Sequence, residues 1–473
     1  MPHQPLNVVF VNLPHKQAIV RRYMCSYYSP LFHFPPYDLL QLATCAREWN
    51  GADVCLLDAI ADTCDEAGMH AFLAQKRPDI LVALTGIESV SVDLACMDRV
   101  KQAFPNITTI VFGHYPTVFS ELVLEKSSVD LILRNEPEES LSAYLSAREA
   151  NGNISAVPGI AGRDAEGRIF VNPDSRIADL DRLPFADYSL IDVRKYEEPW
   201  LGGPWGALFT ARGCPFNCEF CIRTFGRNVV AKKSETVVAE MKAMVQAGIR
   251  VIRFVDDTFT LSKTRVIAIC QGIIREKISV PWACLANVNT LDSEMLHWMK
   301  KAGCVRVLVG IESYSTKILK RLDKKIDPEK TNAALQLIHD AGMETVGFVI
   351  VGAPEETETD FQETLKGVMR APMDLMIVSI FVPYAGTPSF ERLKDEVVFN
   401  LIPYEFRFKD ESIGKRALDR ERRIYRRFYL RPTVVLRHLP RIIRFPYHFL
   451  SYLGMMLWFA VAKRKDDDRA DLF

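Results

Sequence analysis

Short apolar runs and stretches of helical periodicity take turns along the first part of the chain. Residues 7–12 (NVVFVN) read as a strand buried on both faces, and residues 36–49 (PYDLLQLATCAREW) carry apolar positions at a spacing near 3.6 behind a proline, the pattern of a helix. The alternation continues with strands at 53–58, 79–84, 108–112 and 129–133, and with helices at 64–76, at 94–104, after Pro116 and from Glu138. Five strands alternating with helices predict an α/β, doubly wound, Rossmann-like parallel sheet over residues 1–148, with its ligand crevice at the carboxyl ends of the strands.

Residues 149–200 are rich in Pro, Asp, Gly and Arg and read as a linker with short strands such as 169–171. A second β/α series then occupies residues 201–400. Its strands are expected at 207–210, 251–255, 281–287, 305–311, 345–351 and 375–381, with helices including 235–247, 264–276, 293–302, 331–341 and 358–371 between them.

With 473 residues the chain exceeds one typical domain, and its 48% hydrophobic and 25% charged content is that of an ordinary globular protein. A formal charge of zero argues against a general nucleic-acid binder. The N-terminus lacks the apolar h-region of a secretory signal, so a cytoplasmic protein is expected. Singly scattered cysteines such as Cys25, Cys45, Cys55, Cys64 and Cys96 then read as reduced residues.

Neutrality hides an uneven distribution. Residues 401–465 hold sixteen Lys and Arg against five Asp and Glu. Residues 420–431 (RERRIYRRFYLR) read as a basic helix, and an apolar run of sixteen at 447–462 is short of the roughly twenty residues of a membrane span. The 401–473 tail is therefore expected to be a basic amphipathic helical appendage lying on the inner face of the membrane; a helical cap packed on the second β/α series is the alternative.

The run ARGCPFNCEFC places Cys214, Cys218 and Cys221 in the loop after the strand at 207–210, where β/α barrels carry their catalytic residues. Four-iron clusters usually have four cysteine ligands, so a compact set of three suggests a cluster with one iron left open. Three ordinary buried cysteines are the alternative, and the post-strand location argues against it. With Phe220 just before the last cysteine, the motif resembles the radical S-adenosylmethionine (SAM) superfamily. That resemblance implies a [4Fe-4S] cluster on these three cysteines and an open partial (β/α)6 barrel of TIM type. It also implies SAM bound to the open iron, reductive cleavage to a 5′-deoxyadenosyl radical, and an electron donor such as flavodoxin or ferredoxin.

In this family the strand-end positions Asp256-Asp257-Thr258, Glu312-Ser313, Gly352-Ala353-Pro354-Glu355-Glu356 and Pro383–Pro388 resemble SAM contacts. Glu312 is expected at the ribose, where a carboxylate accepts from a diol, and Asp257 near the methionine amino group; Phe220 and Gly352 belong to the same set. Asp256 and Thr258 equally suit helix N-caps.

The first sheet has no GxGxxG. Its strand ends, Thr85-Gly86, Gly113-His114-Tyr115-Pro116-Thr117 and Asn135-Glu136-Pro137-Glu138, resemble altered forms of the glycine motifs of cobalamin-binding domains fused to radical SAM enzymes. There Thr85, Gly113, His114 and Glu136 are the expected cofactor contacts. Asn135 and Pro137 replace glycines, and no Asp-x-His-x-x-Gly signature is present.

The whole is similar to the cobalamin-binding-domain radical SAM family of anaerobic magnesium-protoporphyrin ester cyclases, hopanoid-modifying enzymes and C-methyltransferases, some of which carry tails like RRFYLRP. The expected activity is C-methylation at an unactivated carbon of a hydrophobic lipid, isoprenoid or tetrapyrrole-like substrate. Radical cyclisation or rearrangement without methyl transfer is the alternative, and a cobalamin or redox sensor the non-enzymatic one.

Overall fold

The computed structural model describes residues 5–23, 25–29, 32–198, 201–400, 402, 405–432, 434 and 436. Its N-terminal elements run β1 (Asn7–Asn12), β2 (Ile19–Arg21), β3 (Ser26–Tyr28), α1 (Tyr37–Asn50), β4 (Asp53–Asp58), α2 (Glu66–Lys76), β5 (Ile80–Leu84) and α3 (Val90–Ala103). They continue through β6 (Thr108–Phe112), α4 (His114–Val118), α5 (Ser120–Lys126), β7 (Leu131–Leu133), α6 (Pro137–Glu149), β8 (Ile160–Arg163) and β9 (Ile169–Val171).

Alternate residues of a strand point to opposite faces, and β1 shows the consequence. Val8 and Phe10 join Leu39, Leu42 and Leu141 in one core, whereas Val9 and Val11 join Met69, Leu73, Leu94 and Met97 in another. A sheet covered by helices on both faces needs such continuous apolar strands. The strand order is β4-β1-β5-β6-β7-β8-β9, parallel through β7, with β8 and β9 antiparallel at the edge. The stretch expected to be a linker thus supplies two strands of the first sheet.

The second sheet carries β10 (Trp205–Leu208), followed by a short hairpin of β11 (Ala211–Arg212) and β12 (Val230–Ala231). Then come α7 (Ser234–Gln246), β13 (Val251–Phe254), α8 (Lys263–Arg275), β14 (Trp282–Ala286), α9 (Ser293–Lys301), β15 (Cys304–Glu312), α10 (Thr316–Arg321), α11 (Pro328–Asp340), β16 (Glu344–Val351), α12 (Glu358–Arg370) and β17 (Leu375–Ile380). Its six strands lie in sequence order, all parallel. This is the expected partial barrel. Its first strand begins two residues before the expected 207, because Trp205 already pairs with Val251 although Pro204 and Gly206 break the apolar run.

An open barrel leaves the edge of β17 with unpaired backbone groups, which must be covered or solvated. After α13 (Pro388–Leu393), β18 (Val397–Asn400) and β19 (Glu405–Phe408), the basic helix α14 (Glu411–Tyr429) covers it. Tyr429 Oη accepts from the N–H of Met376 (3.0 Å) and donates to its carbonyl (2.7 Å), while Tyr425 Oη accepts from Val378 N–H (2.9 Å). Ile424 and Phe428 are fully buried. Over these residues the tail is a helical cap; the apolar run 447–462 lies outside the described residues. No helix among the described residues is long and apolar enough to cross a membrane.

Candidate active site

The cysteine loop is the connection of the β11–β12 hairpin, held at several backbone points. Gly213, at φ 93°, passes so close to the Asn228 carbonyl that a Cβ would lie 2.2 Å from it. Cys214 N–H donates to Gly226 (3.1 Å). Glu219 is bridged between barrel loops, its N–H donating to Leu322 (3.0 Å) and its carbonyl accepting from Ser389 (3.1 Å).

Burial and mutual proximity push the thiols up, Cys221 to about 12, with Cys214 and Cys218 acting on it. Burial also raises Cys214 and Cys218. The Lys324 ammonium opposes all three shifts. Lys324 Nζ is 3.0 Å from Glu312 Oε1, both side chains under 10% exposed. Burial works against the ammonium, but Glu312 and the thiols outweigh it and its pKa is raised. Asp257 accepts from Gly213 N–H (3.0 Å), and burial lifts its carboxyl to about 6. Three thiols and Glu312 around the Lys324 ammonium, with Asp257 beside Cys221, form a donor set whose thiolates a cationic iron–sulfur core would stabilise. Among the described residues no three or more His, Cys, Asp or Glu side chains converge on a single metal ion. Cluster ligands need not do so, since each thiolate binds a different iron.

Glu312 ends β15 at a register shift and has φ 62°, a left-handed conformation uncommon outside glycine and characteristic of functional sites. The structure therefore brings together the three cysteines, Asp257 and Glu312. Asp256 instead ties β10 to β13 by accepting from the N–H and hydroxyl of Thr210. Thr258 donates to the Asp257 carbonyl (2.7 Å) and lies 3.9 Å from Cys214 Sγ. Phe220 packs with an apolar cluster containing Ile318, Leu322 and Phe381. Gly352 donates to Glu356 (2.7 Å), which is also paired with Arg420 of α14 (2.7 Å).

The carboxyl ends of the first sheet face this loop. Arg212, two residues before Cys214, is buried between Glu136 (3.1 Å) and Glu138 (2.5 Å). Burial raises the Glu136 carboxyl and Arg212 pulls it down; its other oxygen accepts from Ile177 N–H (2.8 Å). His114 Nε2 lies 3.3 Å from the Ala385 carbonyl, and burial lowers its pKa. Tyr384 donates to Glu88 (3.4 Å). Asn135 takes the glycine-like φ of 55°, which asparagine tolerates better than other side chains, and Pro137 occupies the favourable first turn of α6. At Asn135 the chain thus takes a left-handed conformation that glycine would adopt without strain. Thr85 is turned inward, its hydroxyl donating to Asp93 (2.8 Å). Arg21 fills the β1/β5 switch point, bonded to Asn12 (2.9 Å), Asp93 (2.7 Å) and the Leu13 carbonyl (2.8 Å).

Arg212 and Lys324 were not expected at the site. Arg212 lies inside the cysteine run and its position carried a signal; Lys324 has no local motif and is identified only by tertiary proximity.

The profile of the Radical SAM superfamily matches residues 208–368. An uncharacterized methyltransferase of Pyrococcus horikoshii is 30% identical over 426 residues, 86% of this chain and 90% of the relative. The chain belongs to the radical SAM superfamily. Within this methyltransferase-type radical SAM family, the anaerobic magnesium-protoporphyrin IX monomethyl ester cyclase of Cereibacter sphaeroides is 27% identical, covering 85% of this chain and 68% of the relative. Radical SAM membership implies a [4Fe-4S] cluster and SAM as cofactors. The fold is also that of the cobalamin-dependent SAM radical enzyme OxsB with aqua-cobalamin bound, at TM-score 0.67 and 19% identity, covering 87% of this chain and 56% of that chain. The radical SAM methyltransferase TsrM of Kitasatospora setae, solved with cobalamin and a [4Fe-4S] cluster, aligns at TM-score 0.67 and 16% identity over 82% of this chain and 75% of that chain.

Proposed function

We propose that this radical SAM enzyme is cobalamin-dependent and methylates an unactivated carbon of a hydrophobic substrate. The observation that carries the reading is the apposition of two strand-end rims, with the cysteine loop anchored through Arg212 to Glu136 and Glu138 of the first sheet. Cysteines 214, 218 and 221 would hold the cluster. Glu312, with Oε1 engaged by Lys324, would offer Oε2 to the SAM ribose, and Asp257 would receive the methionine amino group. The rims around Gly113–His114 and Asn135–Glu136 would hold the corrin against the loop containing Ala385. When bound, cluster and SAM supply a hydrogen-abstracting radical and cobalamin a methyl carrier; the chain's share is to orient them and exclude water. The reading includes an electron donor such as flavodoxin or ferredoxin and a peripheral membrane site at the basic tail, where Arg426 and Arg427 are exposed.

Anaerobic turnover with methyl-labelled SAM and a lipid extract is expected to yield a product gaining labelled methyl, with the purified protein carrying a corrin spectrum. Turnover to 5′-deoxyadenosine with an unmethylated product and no S-adenosylhomocysteine would replace methylation by rearrangement or by cyclisation, the latter being the activity named for the Cereibacter relative.

A further inference from the structure

The concave face of the barrel keeps apolar side chains that are not fully buried. Strand registers place Leu285, Leu308 and Phe348 on one face with Arg253 and Arg306, the concave face opposite the helices. In closed β/α barrels such positions interlock into a solid core. Here Leu285, Leu308 and Phe348 are only partly buried, and Ile377, in register with Phe348, is 44% exposed. Apolar surface is therefore left open along the concave face.

Around Trp205 of the first barrel strand the surroundings are cationic and aromatic. Phe34 meets Trp205 edge-on at 4.6 Å, and Arg253 lies over Trp205 (4.3 Å) and Phe32 (5.5 Å). Arg22 stacks over Phe34 (4.9 Å) and Phe209 (5.3 Å). Arg253 gives one nitrogen, Nη2, to Glu198 (3.1 Å) and makes no other hydrogen bond among the described residues. Arg22 bonds Asp38 through Nε (3.3 Å), while its Nη2 is buried without a partner. Tyr27, in β3, is 39% exposed although burial pushes its hydroxyl up to about 12, and both arginines act on it. Buried guanidinium donors without acceptors are costly, and a stacked guanidinium with free N–H groups is suited to receive a carboxylate.

We propose that Arg22 and Arg253 form the anion-receiving end of the substrate cavity, binding a carboxylate carried by an apolar body that lies along Leu308, Phe348 and Ile377. The inference rests on the proposed function in taking the barrel interior as the substrate cavity, and it names the substrate class as an amphipathic acid.

The test is calorimetric titration of the full-length, anaerobically reconstituted protein with dodecanoate and with dodecan-1-ol, which share a chain and differ in the head group. The acid is expected to bind at least tenfold tighter. Arg253→Met should remove that preference by weakening the acid alone, and Arg253→Lys, which keeps the charge without the planar fork, should retain part of it. Arg22→Met provides a second variant; circular dichroism and iron content per chain verify that each remains folded. Equal affinities for the two probes, no binding of either, or an acid preference that survives both methionine substitutions overturns the proposal. SAM cleavage and corrin content measured on the same wild-type preparation keep this failure apart from failure of the proposed function.

Discussion

Replacing Arg212 by methionine strands two carboxylates that the fold has already removed from water. Arg212, Glu136 and Glu138 have side-chain exposures of 6, 5 and 4%, and two oxygens of Glu138 and one of Glu136 face the guanidinium. Arg212 also lies over Phe225 at 4.8 Å, a contact that methionine partly keeps. Breaking a buried pair from one side costs about 3–5 kcal/mol, because the remaining charge is uncompensated. The expected effect is faster hydrogen–deuterium exchange at the amides around residues 134–138 and 211–213, by at least about a hundredfold where local opening governs exchange.

The pH dependence has a definite sign. Burial raises the Glu136 carboxyl and Arg212 pulls it down, so in the variant its folded pKa climbs further above the unfolded value. A folded state that holds the proton more tightly than the unfolded state loses stability as pH rises through the unfolded and then the folded pKa. The deficit, corrected for intrinsic exchange, should therefore be larger at pH 8 than at pH 5. Adding Glu136→Gln and Glu138→Gln should recover part of it by removing the stranded charges. Less than tenfold faster exchange, or a deficit that grows toward acid, would refute the argument.

Serine at Cys214, Cys218 and Cys221 together should abolish the reducible four-iron signal after anaerobic reconstitution, measured by electron paramagnetic resonance and iron content; reductive SAM cleavage by the triple variant would sink the assignment. Gly113→Ala should destabilise the first sheet and lower corrin uptake, because φ 137° and a Cβ 2.4 Å from the Thr85 carbonyl leave no room, whereas Asn135→Gly should be tolerated at its φ of 55°. Corrin absorbance and thermal melting check both. Tyr429→Phe leaves the Met376 N–H and carbonyl without their partner at the barrel edge, a loss of about 1–3 kcal/mol detectable as faster exchange along β17.

The chain's own pattern was sufficient for the parallel strands of both sheets, though not for the antiparallel edge strands β8 and β9, since two-sided burial demands continuous apolar strands and covering helices demand a 3.6-residue rhythm; β1, β4 and β6 fall where those rhythms place them. The cysteine loop was legible for a related reason: its three thiols are close in sequence and follow a strand. The β2–β3 hairpin was not, because three-residue strands carry too few positions for a period to show. Nor does any local feature of residues 420–431 distinguish a helix that lies on lipid from one whose tyrosines serve a sheet edge. Only the tertiary structure shows that Tyr425 and Tyr429 of α14 serve the edge of β17, since the unpaired backbone of β17 comes from a strand 47 to 53 residues away. It also determined which charges meet. Arg212 with Glu136 and Glu138, and Lys324 beside the cysteines, are pairings between distant segments, and their energy depends on burial that no single segment possesses before the sheets come together.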